Sequence, residues 1–181
     1  MVSRRPFFGW WEYYLENPIY TFPSNQSWAG SALTNTKGEI LGIGSLFIRD
    51  ATSPGIFSPG NMFVPVNLIK PILQDLKKYG HRKSDLKPYI GLSPIENKGK
   101  IIVSRVSIDG PSDIAGIKKN DVIISMNGNL IKNLQNFYLY LWNIGKSEAL
   151  IDIVVLRDGK KIDFKVSSKD RMNYYVKNKT Y

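Results

Sequence analysis

Apolar and polar residues alternate most clearly near the end of the chain. Ile162, Phe164 and Val166 are separated by charged residues, and this period of two predicts a strand with one buried face. Further upstream, a short apolar run leads into Asn127-Gly128, the dipeptide most typical of a tight hairpin. These patterns predict a fold rich in short antiparallel strands.

Apolar residues recur at helical spacing in two places. Over residues 68–76 they predict an amphipathic helix, with Asn67 as its N-cap and Pro71 early in the helix, where proline does least harm. Over residues 134–143 they predict a second helix, which Asn133 would cap.

The first part of the chain predicts strands, turns and a large aromatic content. Residues 1–23 contain eight Phe, Tyr and Trp side chains, and residues 11–15 can form a strand with one apolar face. Residues 35–38 predict a turn, and residues 39–43 predict the strand after it. So many aromatic side chains need a core or a partner surface.

Composition limits the chemistry that the chain can carry. The sequence has 181 residues, which suffice for one domain or two small ones, no cysteine and a single histidine, His81. A disulfide, a thiolate metal site and a histidine-cluster metal site are therefore excluded, and no cofactor is predicted. No apolar run reaches the length of a membrane span, and the N-terminal residues do not resemble a signal peptide.

The net charge of +10 is unevenly distributed along the chain. Residues 1–76 carry no net charge, whereas residues 77–87 carry +4 and residues 169–181 carry +3. This distribution favours a solvated basic linker and a basic tail that frays over a nucleic-acid-binding face. Contact with an anionic membrane surface is a minor alternative.

Residues 109–128 carry the most informative motif. Pro111 predicts a turn, Ser112 or Asp113 can cap a short helix, and a polar turn, a buried strand and a hairpin follow. The order of these positions resembles the motif of PDZ domains of the bacterial HtrA/Deg type. The resemblance implies a PDZ domain over residues 88–168.

The same resemblance implies a peptide-binding groove. Tyr89, Ile90, Gly91 and Leu92 resemble the loop in which PDZ domains hold a peptide's terminal carboxylate on successive backbone N–H groups. A peptide would add as a strand beside residues 92–95. Pro94 departs from the usual pattern because it has no N–H, so one bond to the ligand would be missing.

The predicted helix over residues 134–143 would form the opposite wall of the groove. It has two apolar faces at helical spacing. By resemblance, the first face lines the groove and the second packs on the sheet; the alternative is that both faces are core. The first face contains Leu134, Tyr138 and Leu141, and the second contains Phe137, Tyr140 and Ile144.

Residues 27–33 resemble the nucleophile motif of the HtrA/Deg trypsin-like proteases, Gly-Asn-Ser-Gly-Gly-Pro/Ala-Leu. In this register Ala29 takes the position of the nucleophilic serine, and a methyl group cannot attack a carbonyl. Ser27 and Ser31 lie two residues away, on a turn that can place only one side chain for attack. We therefore expect that no catalytic residue is intact.

The position of His81 supports the same expectation. In trypsin-like chains the catalytic residues follow the order His, Asp, Ser, whereas His81 comes after the serine position and lies in the basic linker. The barrel that would carry the histidine and the aspartate is thus expected to be absent from this chain.

The expected fold is mainly β with short helices. Residues 1–76 would form the C-terminal half of a trypsin-like β-barrel, residues 77–87 a basic linker, residues 88–168 a PDZ domain (α+β, a partly open β-barrel) and residues 169–181 a basic tail. The resemblance covers residues 10–168 in one consistent order.

The resemblance implies a bacterial protease homologue that acts in protein quality control. The first hypothesis is an inactive homologue that binds polypeptide C-termini or unfolded segments. The alternative is a fragment of an active serine endopeptidase whose His- and Asp-bearing barrel lies upstream. The resemblance also implies a periplasmic location and allows a homo-oligomer, although the sequence itself leaves the compartment open.

Overall fold

The computed structural model describes residues 1–9 and 13–175. These residues form two compact units, one ending at Ser84 and the other beginning at Asp85. Both units consist mainly of β-strands with short helices, as predicted. Within the described ranges, none of the helices has the length and apolarity that a membrane crossing needs.

The first unit contains a two-stranded hairpin and a four-stranded antiparallel sheet. The hairpin pairs β1 with β2, and the larger sheet has the order β3-β6-β5-β4. Tyr13–Leu15 confirm part of the strand predicted over residues 11–15, whereas Trp11 and Glu12 lie outside the described residues. The strands are β1 (Phe7–Gly9), β2 (Tyr13–Leu15), β3 (Ile19–Thr21), β4 (Ala32–Thr34), β5 (Ile40–Ile48) and β6 (Gly60–Pro65).

A small apolar cluster forms the core of the first unit. Tyr20 and Met62 are almost completely buried within it, and the aromatic Phe7 packs against it. The guanidinium of Arg5 lies 4.3 Å from the centre of the Tyr20 ring and donates to the carbonyl of Asp50 at 2.7 Å. Part of the aromatic N-terminal segment is therefore packed in the core of this unit, as its composition predicted.

The predicted helix over residues 68–76 begins later than the sequence pattern indicated. Two 3-10 turns, Val66–Leu68 and Lys70–Ile72, come first, and α1 runs only over Leu73–Tyr79. The prediction that Asn67 caps this helix is wrong. Pro71 cannot donate the hydrogen bond that a continuous α-helix needs at its position, so the regular helix starts after it.

The second unit contains a six-stranded sheet against which two helices pack. Its strands follow the order β12-β11-β9-β8-β7, and β10 pairs with β9. Alternation in the last strand is confirmed, because Val166 is buried while its neighbours on either side are exposed. The strands are β7 (Leu92–Asn97), β8 (Lys100–Val106), β9 (Val122–Met126), β10 (Asn129–Leu130), β11 (Leu150–Arg157) and β12 (Lys160–Ser167).

Three helices complete the second unit: α2 (Pro111–Ala115), α3 (Leu134–Trp142) and α4 (Arg171–Tyr175). The predicted cap of α3 is confirmed, since the Asn133 side chain accepts the amide of Asn136 at 2.7 Å. The predicted caps of α2 are wrong. Gly110 precedes Pro111 at the first helical position, and neither Ser112 nor Asp113 caps the helix.

A buried ion pair ties the segment before β9 to the end of β11. The carboxylate of Asp121 is 1% exposed and accepts two hydrogen bonds from Arg157, each of 2.6 Å. It also accepts the amide of Lys118 at 2.8 Å. Burial raises the pKa of Asp121, but the bonds from Arg157 and Lys118 outweigh burial and lower this pKa below its ordinary value.

Candidate functional site

The loop that precedes β7 is held from behind by the segment that follows β8. The amide of Ser112 donates to the carbonyl of Ile90 at 2.9 Å, and the amide of Ser107 donates to the carbonyl of Gly91 at 2.8 Å. A trans peptide bond places its N–H opposite its carbonyl. The N–H groups of Gly91 and Leu92 therefore point away from the supporting segment, as the two successive donors of an anion-binding nest would.

Glycine is the residue type that fits position 91 without distortion. Its φ is +71°, in the left-handed region that favours glycine. A Cβ atom there would lie 3.2 Å from Cδ of Pro111 and 3.3 Å from Cα of Gly110. Both the backbone conformation and the close approach of α2 therefore require glycine in this loop.

β7 forms an edge of the sheet and begins at this loop. Within the described part of the chain it pairs only with β8, and α3 packs against it. The pairing shifts register between Ser93 and Pro94, where the hydroxyl of Ser104 donates to the carbonyl of Ser93 at 2.7 Å. Proline occurs in sheets at such edges and bulges because it cannot donate to a ladder.

A carboxylate joins the two walls of the groove at the end farther from the loop. Oε2 of Glu96, near the end of β7, accepts the amide of Leu134 at the start of α3 at 3.0 Å. This amide belongs to the first turn of the helix, where N–H groups lack intrahelical partners. This bond could not be predicted from the sequence, because its two residues are 38 positions apart.

The predicted groove face of α3 contributes largely to the core. Tyr138 and Leu141 are each 5% exposed, and Phe137, assigned to the other face, is 1% exposed. Leu134 is half-buried at the groove end. Phe137 and Tyr138 make an edge-to-face contact with their ring centres 5.2 Å apart. The groove beside β7 is therefore shallow.

The remaining side of α3 faces the β9–β10 hairpin across a cavity of about 330 Å³. Tyr140 and Ile144, which were predicted to pack on the sheet, line this cavity together with Met126 of β9 and Asn129 of β10. Three of its lining residues are asparagines. The lining residues are Met126, Asn127, Asn129, Tyr140, Asn143 and Ile144.

Tyr89 is held by the segment that follows β12. Its amide and carbonyl exchange two hydrogen bonds of 3.0 Å with Lys169, and its ring lies 5.2 Å from the ring of Tyr174. The prediction that the tail frays from Lys169 onward is therefore wrong up to residue 175, because Arg171–Tyr175 form a helix and Lys169, Arg171 and Tyr174 contact Tyr89. Residues 176–181 lie outside the described residues.

In the first unit, residue 29 occupies the tip of a turn that leads into β4. The amide of Ser31 donates to the carbonyl of Trp28 at 3.0 Å, and the Ser31 hydroxyl donates to the same carbonyl at 2.8 Å. Ala29 and Gly30 are exposed at the tip of this turn. The turn is tied to β5 by a 2.9 Å bond from the amide of Gly30 to the carbonyl of Gly44.

Two asparagines organise the segment before that turn. Oδ1 of Asn25 accepts the amide of Ser27 at 2.9 Å, and Oδ1 of Asn61 accepts the amide of Asn25 at 2.6 Å. Asn61 is 1% exposed, and its Nδ2 has no hydrogen-bond partner among the described residues. Sequence reasoning missed both asparagines, since neither forms part of a recognisable motif.

The structure gives His81 a local partner. Its Nδ1 lies 2.8 Å from the carbonyl of Tyr79, two residues earlier. In residues 1–9 and 13–175, no group of three or more histidine, aspartate or glutamate side chains is arranged to hold a metal ion.

The chain is similar in sequence to proteins of known family. Residues 88–167 match the family model of the PDZ domain. The chain is 28% identical over 158 residues to the serine protease Do-like HtrA of Bacillus subtilis, and 30% identical over 159 residues to the serine endoprotease DegS of Escherichia coli. The chain is a homologue of the HtrA/Deg serine proteases and has a PDZ domain.

The matches cover most of this HtrA homologue but only part of each relative. They include 76% of the chain and 33% of the Bacillus protein, and 81% of the chain and 43% of DegS. The periplasmic endoprotease DegQ of Escherichia coli gives a similar result, with 31% identity over 84% of the chain and 35% of DegQ. The chain thus spans less than half the length of these curated relatives.

Solved structures show the same fold. A variant of the HtrA-type protease AlgW with a decapeptide matches 87% of this homologue and 50% of the AlgW chain, with 22% identity and a TM-score of 0.53. An AlgW variant with a tripeptide matches 86% of this homologue and 54% of its own chain, with 22% identity and a TM-score of 0.54.

Proposed function

We propose that this HtrA homologue binds polypeptide C-termini or unfolded segments through its PDZ domain, without cleaving them, in protein quality control. The observation that carries the proposal is the edge strand β7, which begins at the Gly91 loop and runs beside α3. An extended peptide can pair with such an edge while its side chains contact the helix.

The loop supplies the chemistry for a terminal carboxylate. The N–H groups of Gly91 and Leu92 point away from their supports, and bonds from N–H donors to a carboxylate are stronger than bonds between neutral groups. The AlgW structures contain a decapeptide and a tripeptide, which favours a peptide ligand here too. The missing N–H of Pro94 and the shallow groove favour modest affinity.

The turn around residue 29 supports the absence of cleavage. In the register of the protease motif, Ala29 occupies the nucleophile position and lacks an atom that can attack a carbonyl. The hydroxyl of the nearby Ser31 is already a donor to the carbonyl of Trp28 at 2.8 Å. His81 follows this turn in sequence instead of preceding it, and its Nδ1 lies against Tyr79.

The donors for an oxyanion are also compromised. In trypsin-like proteases the amides of the nucleophile and of the residue two positions earlier stabilise the oxyanion. In this register they are the amides of Ala29 and Ser27. The amide of Ser27 is already bonded to Oδ1 of Asn25 at 2.9 Å, so a tetrahedral intermediate would have to displace that oxygen.

A second candidate function is supported by one observation. Because the chain spans only 33% and 43% of the two relatives named first, it could be a fragment of an active serine endopeptidase whose His- and Asp-bearing barrel lies upstream. That candidate needs a nucleophile at residue 29, and alanine does not provide one.

A fluorogenic casein assay with the full chain tests the proposed absence of cleavage. The proposed function predicts no turnover above the rate without protein. Turnover that a serine-directed phosphonate blocks would contradict it. Binding of heparin or DNA that persists at about 0.2 M salt would instead support a basic nucleic-acid-binding module.

A further inference from the structure

The segment that follows the PDZ domain makes a continuous set of contacts with the residue before the candidate carboxylate loop. We call residues 169–175 the C-terminal strap. At its start, Lys169 and Tyr89 exchange two main-chain hydrogen bonds of 3.0 Å, as neighbouring residues of antiparallel strands do. After this bridge, α4 places two more side chains against the same tyrosine.

The side chain of Tyr89 is fixed from three directions. Two side chains of α4 contact the Tyr89 ring. The centre of the Tyr174 ring lies 5.2 Å from the centre of the Tyr89 ring, and the guanidinium of Arg171 lies 5.8 Å from the same centre. Its hydroxyl donates to Oγ of Ser107 at 3.0 Å. Aromatic pairs and cation–π contacts at these distances are each attractive beyond simple burial.

These contacts converge on the residues that support the loop. Ser107 accepts the Tyr89 hydroxyl and also donates its amide to the carbonyl of Gly91 at 2.8 Å. The hydroxyl of Tyr174 donates to the carbonyl of Ile108 at 2.7 Å. The strap is thus joined both to the residue that precedes the loop and to the segment that lies behind it.

We propose that the C-terminal strap positions the carboxylate loop, with Tyr174 and Arg171 as the positioning residues and a peptide's terminal carboxylate as the ligand. The proposal rests on the proposed function of the PDZ groove. Two N–H groups hold one anion well only if their directions are fixed before binding. The strap fixes Tyr89 and Ser107, and through them the orientation of the Gly91 carbonyl and of the adjoining Leu92 N–H.

The test uses the full chain and two fluorescein-labelled decapeptide pools. Both pools have random internal positions and an apolar last residue; one ends in a free carboxylate and the other in an amide. For Tyr174→Ala we expect about a fivefold loss of affinity for the free-acid pool and little change for the amide pool. Arg171→Gln should act in the same direction, and Arg171→Lys should restore most of the affinity.

Asn173→Ala is the matched control, since this exposed residue lies on the same helix. It should leave the affinities for both pools unchanged. If the strap only stabilises the domain, Tyr174→Ala would lower the melting temperature while the ratio of the two affinities stays that of the wild type. That result, at a temperature where both proteins are folded, would overturn the positioning role.

Hydrogen exchange of the free protein separates this inference from the proposed function. The amides of Ser107 and Ser112 donate to the loop carbonyls, so their exchange should accelerate in Tyr174→Ala and remain unchanged in Asn173→Ala. Unchanged exchange would contradict the strap whatever the peptides do. A wild-type protein that does not distinguish the two pools would contradict the proposed function instead. Tyr174→Phe, which keeps the ring, serves if the alanine variant does not fold.

Discussion

The amide of Ser27 donates a hydrogen bond of 2.9 Å to the side-chain oxygen of Asn25. The same asparagine is fixed by the buried Asn61, whose Oδ1 accepts its amide at 2.6 Å. In the register of the protease motif this bond uses an N–H that an active enzyme keeps for the oxyanion. Under the proposed function, this turn therefore differs from a catalytic one in more than the side chain of residue 29.

Ala29→Ser should not create a protease. The new hydroxyl would have no histidine beside it to take its proton, because the only histidine of the chain, His81, comes later and contacts Tyr79. The measurement is turnover of fluorogenic casein by the variant, with the wild-type chain as control. Phosphonate-sensitive turnover in the variant alone would show that the rest of the catalytic machinery is present.

Arg157→Met should destabilise the PDZ domain by about 2–4 kcal/mol, because it leaves the buried carboxylate of Asp121 without its charged partner. The pair has an N–O distance of 2.6 Å. Lys165→Met is the control, since Lys165 and Asp152 form an ion pair at 3.1 Å with 72% and 61% of their side chains exposed. Urea unfolding should show a loss below about 1 kcal/mol for the control. Equal losses in both variants would contradict the importance of burial.

The same ion pair predicts acid sensitivity. The pKa of Asp121 is lowered in the folded protein from its ordinary value of 3.8, since the bonds from Arg157 and Lys118 outweigh the opposing effect of burial. Its contribution to stability is therefore present above pH 3.8 and is lost as the pH falls through the lower folded-state pKa. Asp121→Asn should be less stable than wild type near neutral pH, and the difference should shrink in acid. Urea midpoints across this range provide the measurement; a constant difference would refute the linkage.

Glu96→Ala should weaken the start of α3. The carboxylate accepts the amide of Leu134 at 3.0 Å, and the loss of such a capping bond costs about 0.5–1 kcal/mol. Glu96→Gln keeps an acceptor oxygen and should lose less. Glu148→Ala removes an exposed carboxylate elsewhere and should change the unfolding free energy very little. If Glu96→Ala and Glu148→Ala unfold at the same urea concentration, the bond across the groove contributes nothing.

Local signals in the sequence predicted local structure well. Asn127-Gly128 forms the predicted hairpin with φ values of 46° and 78°, and Asn133 caps α3 as predicted. Both features depend on residues within a few positions of each other, so the chain alone specifies them. The prediction for Asn67 failed because Pro71 restricts the backbone more strongly than the apolar spacing indicated.

Most details of the candidate site depend on contacts between residues that are far apart in sequence. Glu96 accepts a hydrogen bond from the amide of Leu134 across the groove, and the ring of Tyr174 contacts the ring of Tyr89 beside the loop. Polar and aromatic side chains at such positions resemble ordinary surface residues until the fold brings them together. The position of the Gly91 loop, by contrast, was predictable because the PDZ motif downstream determines where the first strand begins.

Gly91 and Gly99 offer a matched pair for testing the carboxylate loop. Both have a φ of +71°, so alanine at either position carries a similar backbone penalty of about 1 kcal/mol. A Cβ at Gly91 would lie 3.2 Å from Pro111, whereas a Cβ at Gly99 would have nothing within 4 Å. Gly99 lies in the turn between β7 and β8, away from the loop.

The most direct test of peptide binding at this loop is a fluorescence titration of wild type, Gly91→Ala and Gly99→Ala with the free-acid and amide decapeptide pools. We expect wild type and Gly99→Ala to prefer the free-acid pool, and Gly91→Ala to lose that preference while remaining folded. Equal binding of the two pools by wild type, or a preference that survives in Gly91→Ala, would contradict the account.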